Sequence, residues 1–201
     1  MLLDAYDTDA KNKSLWQLMK EYELTFLDPS FQRNGGVERG SGWTEEECKE
    51  YIHNLLNGRT SNFIIRAHIE RCLAFALEVN DYRSADYFKE ALDRGYNYIS
   101  IDGNNTHSSV FHYITNKLPS KDLTTEEETY LSQYDEERQN DIQYVEKIQV
   151  LTLRRISYLD MCHLFRYLNK SVQLNAQEYR QAMPTALSKF IRDISNRGAQ
   201  A

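Results

Sequence analysis

The chain has 201 residues, of which 41% are hydrophobic and 27% charged, a composition that suits one folded domain and excludes a disordered protein. Its formal net charge of −6 excludes a general polyanion-binding surface, so any contact with nucleic acid has to come from a local basic face. The apolar runs fall far short of the roughly 20 residues that span a bilayer, and the N-terminus lacks a signal-peptide pattern, so we expect a cytoplasmic protein without a membrane partner.

Hydrophobic periodicity and helix-capping residues predict most of the elements. Helices are expected at residues 14–22, 44–57, 69–79, 81–94, 108–118 and 157–169, with two more after residue 174. Strands are expected at residues 24–27, 62–69, 96–101 and 147–156. The acidic segment 124–143 has only a sparse apolar face and is expected to be a partly exposed helix. These elements predict the α+β class, with a small mixed sheet surrounded by many helices.

The same elements suggest how the chain is organised. Residues 1–23 hold a docking helix, whose apolar stripe has to bury against another part of the chain. Residues 24–195 form a single domain, in which the two helices at about 70–94 are inserted before the central strand. Residues 196–201 are a tail.

Residues 96–113 carry the strongest chemical signal. A β-rich run ends at Asp102-Gly103 and turns into the polar start of a helix. Gly103 lets the backbone bend and approach another group closely, and the N–H groups that open a helix favour an anion. The stretch therefore indicates a phosphate site. The structural alternative is a tight strand-to-helix turn with Asp102 as the helix cap.

Three short motifs follow one another along the chain. Phe-Gln-Arg at 31–33 precedes a tryptophan and the capping-box helix, and Ile-Asp-Gly-Asn-Asn follows at 101–105. Leu-Phe-Arg-Tyr-Leu-Asn at 164–169 then precedes Leu-Asn-Ala-Gln-Glu at 174–178. In this order the motifs resemble the ParB/sulfiredoxin-like domain at the N-terminus of GmrSD-type modification-dependent restriction proteins. The resemblance spans roughly residues 24–195.

The resemblance implies a domain of the restriction or anti-phage defence type, in a bacterial or phage-infected cell. It implies binding and hydrolysis of a nucleoside triphosphate, or DNA nicking, often beside a separate nuclease domain or subunit. The residues that it carries over to phosphate or nucleotide binding are Gln32, Arg33, Gly103, Asn104, Asn105, Thr106 and Asn169. Asp102 is expected to hold Mg²⁺, or to orient a water or a side chain. His107 is the second catalytic candidate, as an acid or a base.

The sixth position of the central motif departs from the family. The family has arginine where this chain has Thr106, followed by His107. Losing the guanidinium removes a bidentate phosphate donor, whereas His107 can still donate a hydrogen bond or act as an acid or base near neutral pH. The alternative function is therefore a catalytically degenerate regulatory or protein-interaction module on the same fold.

Several candidate residues also have a structural interpretation. Arg33 suits a surface position beside the glycine-rich loop, and Asn169 suits the C-terminal cap of a helix. Arg154 and Arg155 end a predicted strand, either as solvated side chains or as a local basic face. His68 is expected to be structural rather than a ligand.

The chain has no strong metal-binding motif. Cys48, Cys72 and Cys162 lie beside apolar neighbours in helical patterns, without a Cys-x-x-Cys pair, so we expect buried free thiols. His107 and His112 are five residues apart, which does not place them on one face of a helix.

Overall fold

The structure is a computed structural model, and it describes residues 6–31, 42–60, 63–121 and 127–169. The strands in these ranges are β1 (Thr8–Ser14), β2 (Thr25–Phe26), β3 (Phe63–His68), β4 (Tyr98–Asp102), β5 (Ser120–Lys121), β6 (Glu128–Thr129) and β7 (Lys147–Leu153). The α-helices are α1 (Leu15–Tyr22), α2 (Glu45–Leu56), α3 (Ile69–Glu78), α4 (Tyr82–Asp93), α5 (Asn104–Ile114), α6 (Glu136–Asn140) and α7 (Tyr158–Leu168). Short 3₁₀ helices lie at Pro29–Phe31 and Leu131–Gln133, and a π-helical turn lies at Asp141–Val145.

One mixed sheet of five strands, in the order β1-β7-β3-β4-β2, organises the fold. β7 pairs with β1 antiparallel and with β3 parallel, while β4 pairs with β3 antiparallel and with β2 parallel. β5 and β6 form a separate antiparallel ribbon. The predicted α+β class with a mixed sheet is confirmed.

Helices pack on both faces of the sheet, because successive residues of its central strands point to opposite sides. On one face, apolar side chains of the sheet pack against α3, α4 and α7; those of the sheet are Ile65, Ala67, Ile99, Ile101 and Leu153. On the other face the packing helices are α1, α2 and α5, and the sheet contributes Ile64, Ile148 and Val150. The second face is apolar only in this part, and its remaining surface is polar.

The predicted helix starts are borne out by their caps. The hydroxyl oxygens of Ser14, Thr44 and Ser157 each accept a hydrogen bond from a backbone N–H in the first turn of the helix that follows. The carboxylate of Asp81 does the same for α4. Sequence-local chemistry therefore determines where these helices begin.

Two expectations differ from the structure. The described part of the acidic segment, from residue 127 onward, is not one helix but β6, a 3₁₀ helix, α6 and a π-helical turn. Its buried apolar anchors, Leu131 and Ile142, are too far apart to form one continuous stripe. The helix expected at 108–118 begins at Asn104 and ends at Ile114. The helices expected after residue 174 lie outside the described residues.

The N-terminal segment belongs to the main sheet and core. β1 is an edge strand that the sequence did not predict, because its side chains are polar on both faces. α1 buries Leu15 and Leu18 completely in the same apolar cluster as α2 and α5. No helix in the described ranges combines the length and the apolar character needed to cross a membrane.

The cysteines agree with the sequence prediction. Cys48, Cys72 and Cys162 are all buried free thiols. Burial raises the pKa of Cys72 to about 11, so this side chain stays a neutral thiol.

Candidate functional site

The strand-to-helix turn predicted at Asp-Gly is present between β4 and α5. β4 ends at Asp102, α5 begins at Asn104, and Gly103 joins them with a φ of 87°. A Cβ atom on Gly103 would lie 3.0 Å from both the Cα of Ile64 and the carbonyl oxygen of Phe63. Glycine is therefore needed both for the backbone conformation and for the close approach to β3. The N-cap is Gly103, so the cap role considered for Asp102 is not observed.

Asn104 and Asn105 hold the two ends of segment 32–41. The side-chain amide of Asn104 donates to the carbonyl oxygen of Phe31 at 3.1 Å. The backbone N–H of Gly42 donates to Oδ1 of Asn105 at 2.6 Å. Asn104 is 7% exposed, and its Oδ1 has no hydrogen-bond partner among the described residues. Both asparagines of the central motif thus anchor the chain on either side of this segment.

The other polar residues predicted to close the site are placed differently. Gln32 and Arg33 lie outside the described residues. Asn169 is 2% exposed and caps the C-terminus of α7. Its side-chain amide and its backbone N–H donate to the carbonyl oxygen of Phe165 at 2.8 and 3.1 Å. This contact is the helix cap expected from the structural interpretation of Asn169.

Thr106 and His107 point into the core. Thr106 is 3% exposed and lies beside the hydroxyl of Tyr51 on α2. His107 is fully buried, and its Nε2 lies 2.8 Å from the carbonyl oxygen of Leu18. Because a carbonyl oxygen only accepts hydrogen bonds, Nε2 carries the proton and donates it. Burial lowers the pKa of His107 to about 4, so the imidazole is neutral at neutral pH and bound to α1.

A cleft of about 470 Å³ lies on the polar part of the sheet face that carries α1. We call it the sheet cleft. Its lining residues come from β1, β3, β4 and β7 and from the chain next to them; they are Asp7, Asp9, Lys11, Lys13, Arg66, His68, Arg71, Tyr98, Thr152 and Arg154. The cleft therefore joins residues that are far apart in the sequence.

Strand register brings these side chains together. Asp9 pairs with Thr152 across β1 and β7, and Thr152 pairs with Arg66 across β7 and β3. Directly paired residues point to the same face of a sheet. Side chains alternate along β1, so Lys11 and Lys13 lie on the same face as Asp9. The polar alternation of β1 thus places two lysines along the edge of this sheet face.

Arg66 forms the floor of the sheet cleft. It is 1% exposed, and its Nη1 lies 2.8 Å from Oε2 of Glu21 on α1. Its guanidinium carbon lies 3.5 Å from the centroid of the Tyr98 ring, and its Nε donates to the hydroxyl of Thr152 at 3.3 Å. The other oxygen of Glu21 accepts from Lys13. Burial opposes the charge on Glu21, but Arg66 and Lys13 outweigh it and lower the pKa of this carboxyl.

Asp9 bridges Lys11 and Arg154 at the outer wall of the cleft. Its Oδ2 lies 2.9 Å from Nζ of Lys11 and 2.8 Å from Nη2 of Arg154. The hydrogen bond from Lys11 and the nearby charge of Arg154 lower the pKa of Asp9. The side chains of Lys11 and Arg154 are 64% and 39% exposed, so solvent reaches both.

His68 and Arg71 form the rim where α3 begins. His68 precedes the first turn of α3, and its ring meets Tyr98 edge-on at 5.4 Å between centroids. Burial lowers the pKa of His68 below its usual value. Arg71 is exposed and forms no ion pair within the part of the chain that the structure describes. Arg71 is therefore the cation of the cleft that is most available to an anion from solvent.

The sheet cleft gathers five basic side chains and two carboxylates, and so forms a local basic face in an acidic chain. Of the two arginines considered for such a face, Arg154 lines the cleft and Arg155 pairs with Glu78 at 2.8 Å. Sequence reasoning missed the lysines of β1. The available signal was the alternation of Lys11 and Lys13, which on a strand places both on one face.

Metal binding has limited support in the described ranges. They contain no group of three or more His, Cys, Asp or Glu side chains arranged to hold a metal ion. Mg²⁺ often uses only one or two carboxylates together with substrate phosphates. Asp102 therefore remains a predicted Mg²⁺ ligand.

Comparison of the chain with protein-family models, with curated proteins and with solved structures gives no match. The ParB/sulfiredoxin-like resemblance thus rests on the sequence motifs alone.

Proposed function

We propose that this chain binds the phosphate groups of a nucleotide or a nucleic acid in the sheet cleft. The observation that carries the proposal is the presence of five basic side chains in one cleft of a chain whose net charge is −6. Cations gathered in a concave surface create a local positive potential that attracts anions. Guanidinium and ammonium groups are the usual protein partners of phosphate oxygens.

Four of the five cations of the cleft are held in place by carboxylates before a ligand arrives. Asp9 forms ion pairs with both Lys11 and Arg154, and Glu21 forms ion pairs with both Lys13 and Arg66. An incoming phosphate competes with Asp9 for exposed cations, while the buried pair behind them keeps the floor of the cleft rigid. Prior ordering of this kind reduces the entropy lost on binding.

The 102–107 loop forms the second part of the proposal. The resemblance assigns nucleotide hydrolysis or DNA nicking, of the restriction or anti-phage type, to this loop, with Asp102 and Mg²⁺ as the reacting groups. His107 in the first turn of α5 donates to Leu18 on α1, the helix that also carries Glu21, the partner of Arg66 at the floor of the sheet cleft. This proximity supports a phosphate held in the cleft and processed near the loop.

The alternative is a regulatory module that binds a ligand without turnover. Thr106 supports this alternative, because the position where the family has arginine faces the core beside Tyr51. An arginine at this buried position would destabilise the fold, so Thr106→Arg is a poor test. Turnover of nucleotide, or nicking of DNA, by the natural chain separates the two functions.

Calorimetric titration with nucleoside triphosphates and with short DNA, with and without Mg²⁺, tests the proposal. We expect Lys11→Ala and Arg71→Ala each to weaken binding roughly tenfold, because each removes a charged phosphate donor. Lys89→Ala is the matched control, since Lys89 is exposed on α4, which packs on the opposite face of the sheet. Absence of binding to the folded protein, or equal affinity in all three variants, would refute the proposal. Asp102→Ala tests separately whether the 102–107 loop contributes to binding.

A further inference from the structure

The aromatic rings of the sheet cleft already contact other side chains. Tyr98 and His68 are the aromatic residues among those that line it. The guanidinium of Arg66 lies 3.5 Å from the centroid of Tyr98, and His68 meets the same ring edge-on. Proteins that bind single strands or nucleotides usually stack bases on exposed ring faces. A base could therefore stack on the face of Tyr98 that Arg66 covers only by displacing the guanidinium.

The lining residues also lack the side-chain amides that pair with adenine, and most of them are charged. They include no asparagine or glutamine, the side chains whose amides pair with bases. The one neutral hydroxyl outside the aromatic ring is that of Thr152, and it accepts a hydrogen bond from Nε of Arg66. The polar surface of the cleft is dominated by charged groups, which recognise phosphate oxygens.

Two carboxylates hold the cations of the cleft, Asp9 at its wall and Glu21 behind its floor. Asp9 sits between Lys11 and Arg154, and Glu21 sits between Lys13 and Arg66. Lys11 and Lys13 are two residues apart on β1, which separates their Cα atoms by about 7 Å. Lys11 and Arg154 beside Asp9, together with the exposed Arg71 at the rim, therefore give linked anions more than one cation to contact.

The charge of the rest of the chain favours a compact ligand over a long polymer. The lining residues comprise five cations and two carboxylates, so the acidic excess of the chain lies outside the cleft. A long polyanion would extend over this acidic surface and be repelled, whereas a ligand confined to the cleft would not. The volume of about 470 Å³ also lies in the range of small-molecule sites.

Building on the proposed function, we infer that the sheet cleft recognises a short linear oligophosphate and does not read the base attached to it. The phosphate chain of a nucleoside triphosphate and an inorganic oligophosphate are then equivalent ligands. Binding depends on the number of linked phosphates and not on the nucleoside.

Titration with inorganic tripolyphosphate, ATP, CTP, AMP, adenosine and a short thymidine oligonucleotide tests this inference. We expect the first three to bind with affinities within roughly threefold of one another, AMP to bind at least about tenfold more weakly, and adenosine not to bind. ATP binding about tenfold tighter than both CTP and tripolyphosphate would overturn the inference but leave the proposed function standing. Tighter binding of the oligonucleotide than of tripolyphosphate would overturn it in favour of nucleic acid. Absence of all binding would refute both.

A matched pair of carboxylate variants makes the test independent of loss of folding. Asp9→Asn removes a carboxylate that competes with phosphate, so we expect it to raise tripolyphosphate affinity about threefold to tenfold. Asp86→Asn removes the same charge from the exposed surface of α4 and serves as the control. An equal gain in both variants, or no gain in Asp9→Asn, would mean that the anion does not occupy the Asp9 position.

Discussion

His107 shows how the position of one side chain determines its chemistry. It donates from Nε2 to the carbonyl oxygen of Leu18, and burial lowers its pKa to about 4. The sequence predicted an acid or base at this position. Because α5 begins at Asn104, earlier than predicted, His107 falls in the first turn of a helix packed against α1, and its side chain points inward.

The buried histidine predicts a pH dependence of stability. The unfolded chain binds a proton near the usual pKa of 6.5, and the folded chain does so only near 4, so protonation favours unfolding. The contribution of the neutral histidine to the free energy of unfolding is fully present above pH 6.5, and it is lost as the pH drops from 6.5 towards 4. Between pH 7 and pH 5 we expect a loss of about 2 kcal/mol from this residue.

Urea denaturation at pH 7 and at pH 5 measures this loss. His107→Gln is the comparison, because glutamine retains an N–H donor for Leu18 and does not titrate. We expect a smaller loss of stability in the variant than in the natural chain. The same loss in both proteins would show that other groups cause the acid sensitivity.

At the scale of elements, the junction of β4 and α5 depends on Gly103. Alanine at this position would adopt a left-handed backbone and place Cβ 3.0 Å from the backbone of β3. Gly95 has nearly the same φ, 88°, but a Cβ atom there would meet no other described residue within 4 Å. The two glycines therefore share the backbone strain and differ in the crowding.

We expect Gly103→Ala to destabilise the protein by at least about 1 kcal/mol more than Gly95→Ala. The left-handed conformation costs about 1–2 kcal/mol in both variants, and only Gly103→Ala adds a clash with backbone. Thermal or urea denaturation of the two variants measures the difference. Equal destabilisation would mean that β3 moves away from the junction without cost.

Most helices could be predicted from the sequence because their start signals are local. Ser14, Thr44 and Ser157 each cap the helix that follows them, as predicted. β1 was not predictable in this way, since an edge strand with polar side chains on both faces has no apolar alternation. Its place in the sheet depends on pairing with β7, more than 130 residues later.

The whole molecule has an acidic net charge, whereas the surface of the sheet cleft is basic. This arrangement predicts that ligand affinity in the sheet cleft falls as salt concentration rises, because the attraction is electrostatic and exposed charges are screened. We expect Lys11→Ala to reduce the slope of log affinity against log salt by about one, the loss of one phosphate contact. Lys89→Ala should leave the slope unchanged.

Titration at several salt concentrations gives these slopes. A slope near zero in the natural chain would contradict phosphate binding by cations. An equal change of slope in both lysine variants would mean that the total charge matters more than the cleft.

Sequence reasoning found the turn at Gly103 but not the sheet cleft, and the difference has a physical cause. The turn is made by consecutive residues, so residue type and order suffice to predict it. The cleft forms from residues between positions 7 and 154, which meet only through the strand order β1-β7-β3-β4. The sequence around Lys11 gives no indication that Arg66 will lie nearby. The two residues are brought together only by the strand pairing of the folded sheet.

The hydrogen bonds of Asn104 and Asn105 also bear on how this chain can vary. Phe31 and Gly42 are held by neighbouring residues of one helix, so the two positions lie close to each other. Closing a longer loop between fixed ends costs only about 0.6 kcal/mol for each doubling of its length. We therefore expect a change in the number of residues between Phe31 and Gly42 to leave the sheet and the sheet cleft intact, because both anchors lie on α5.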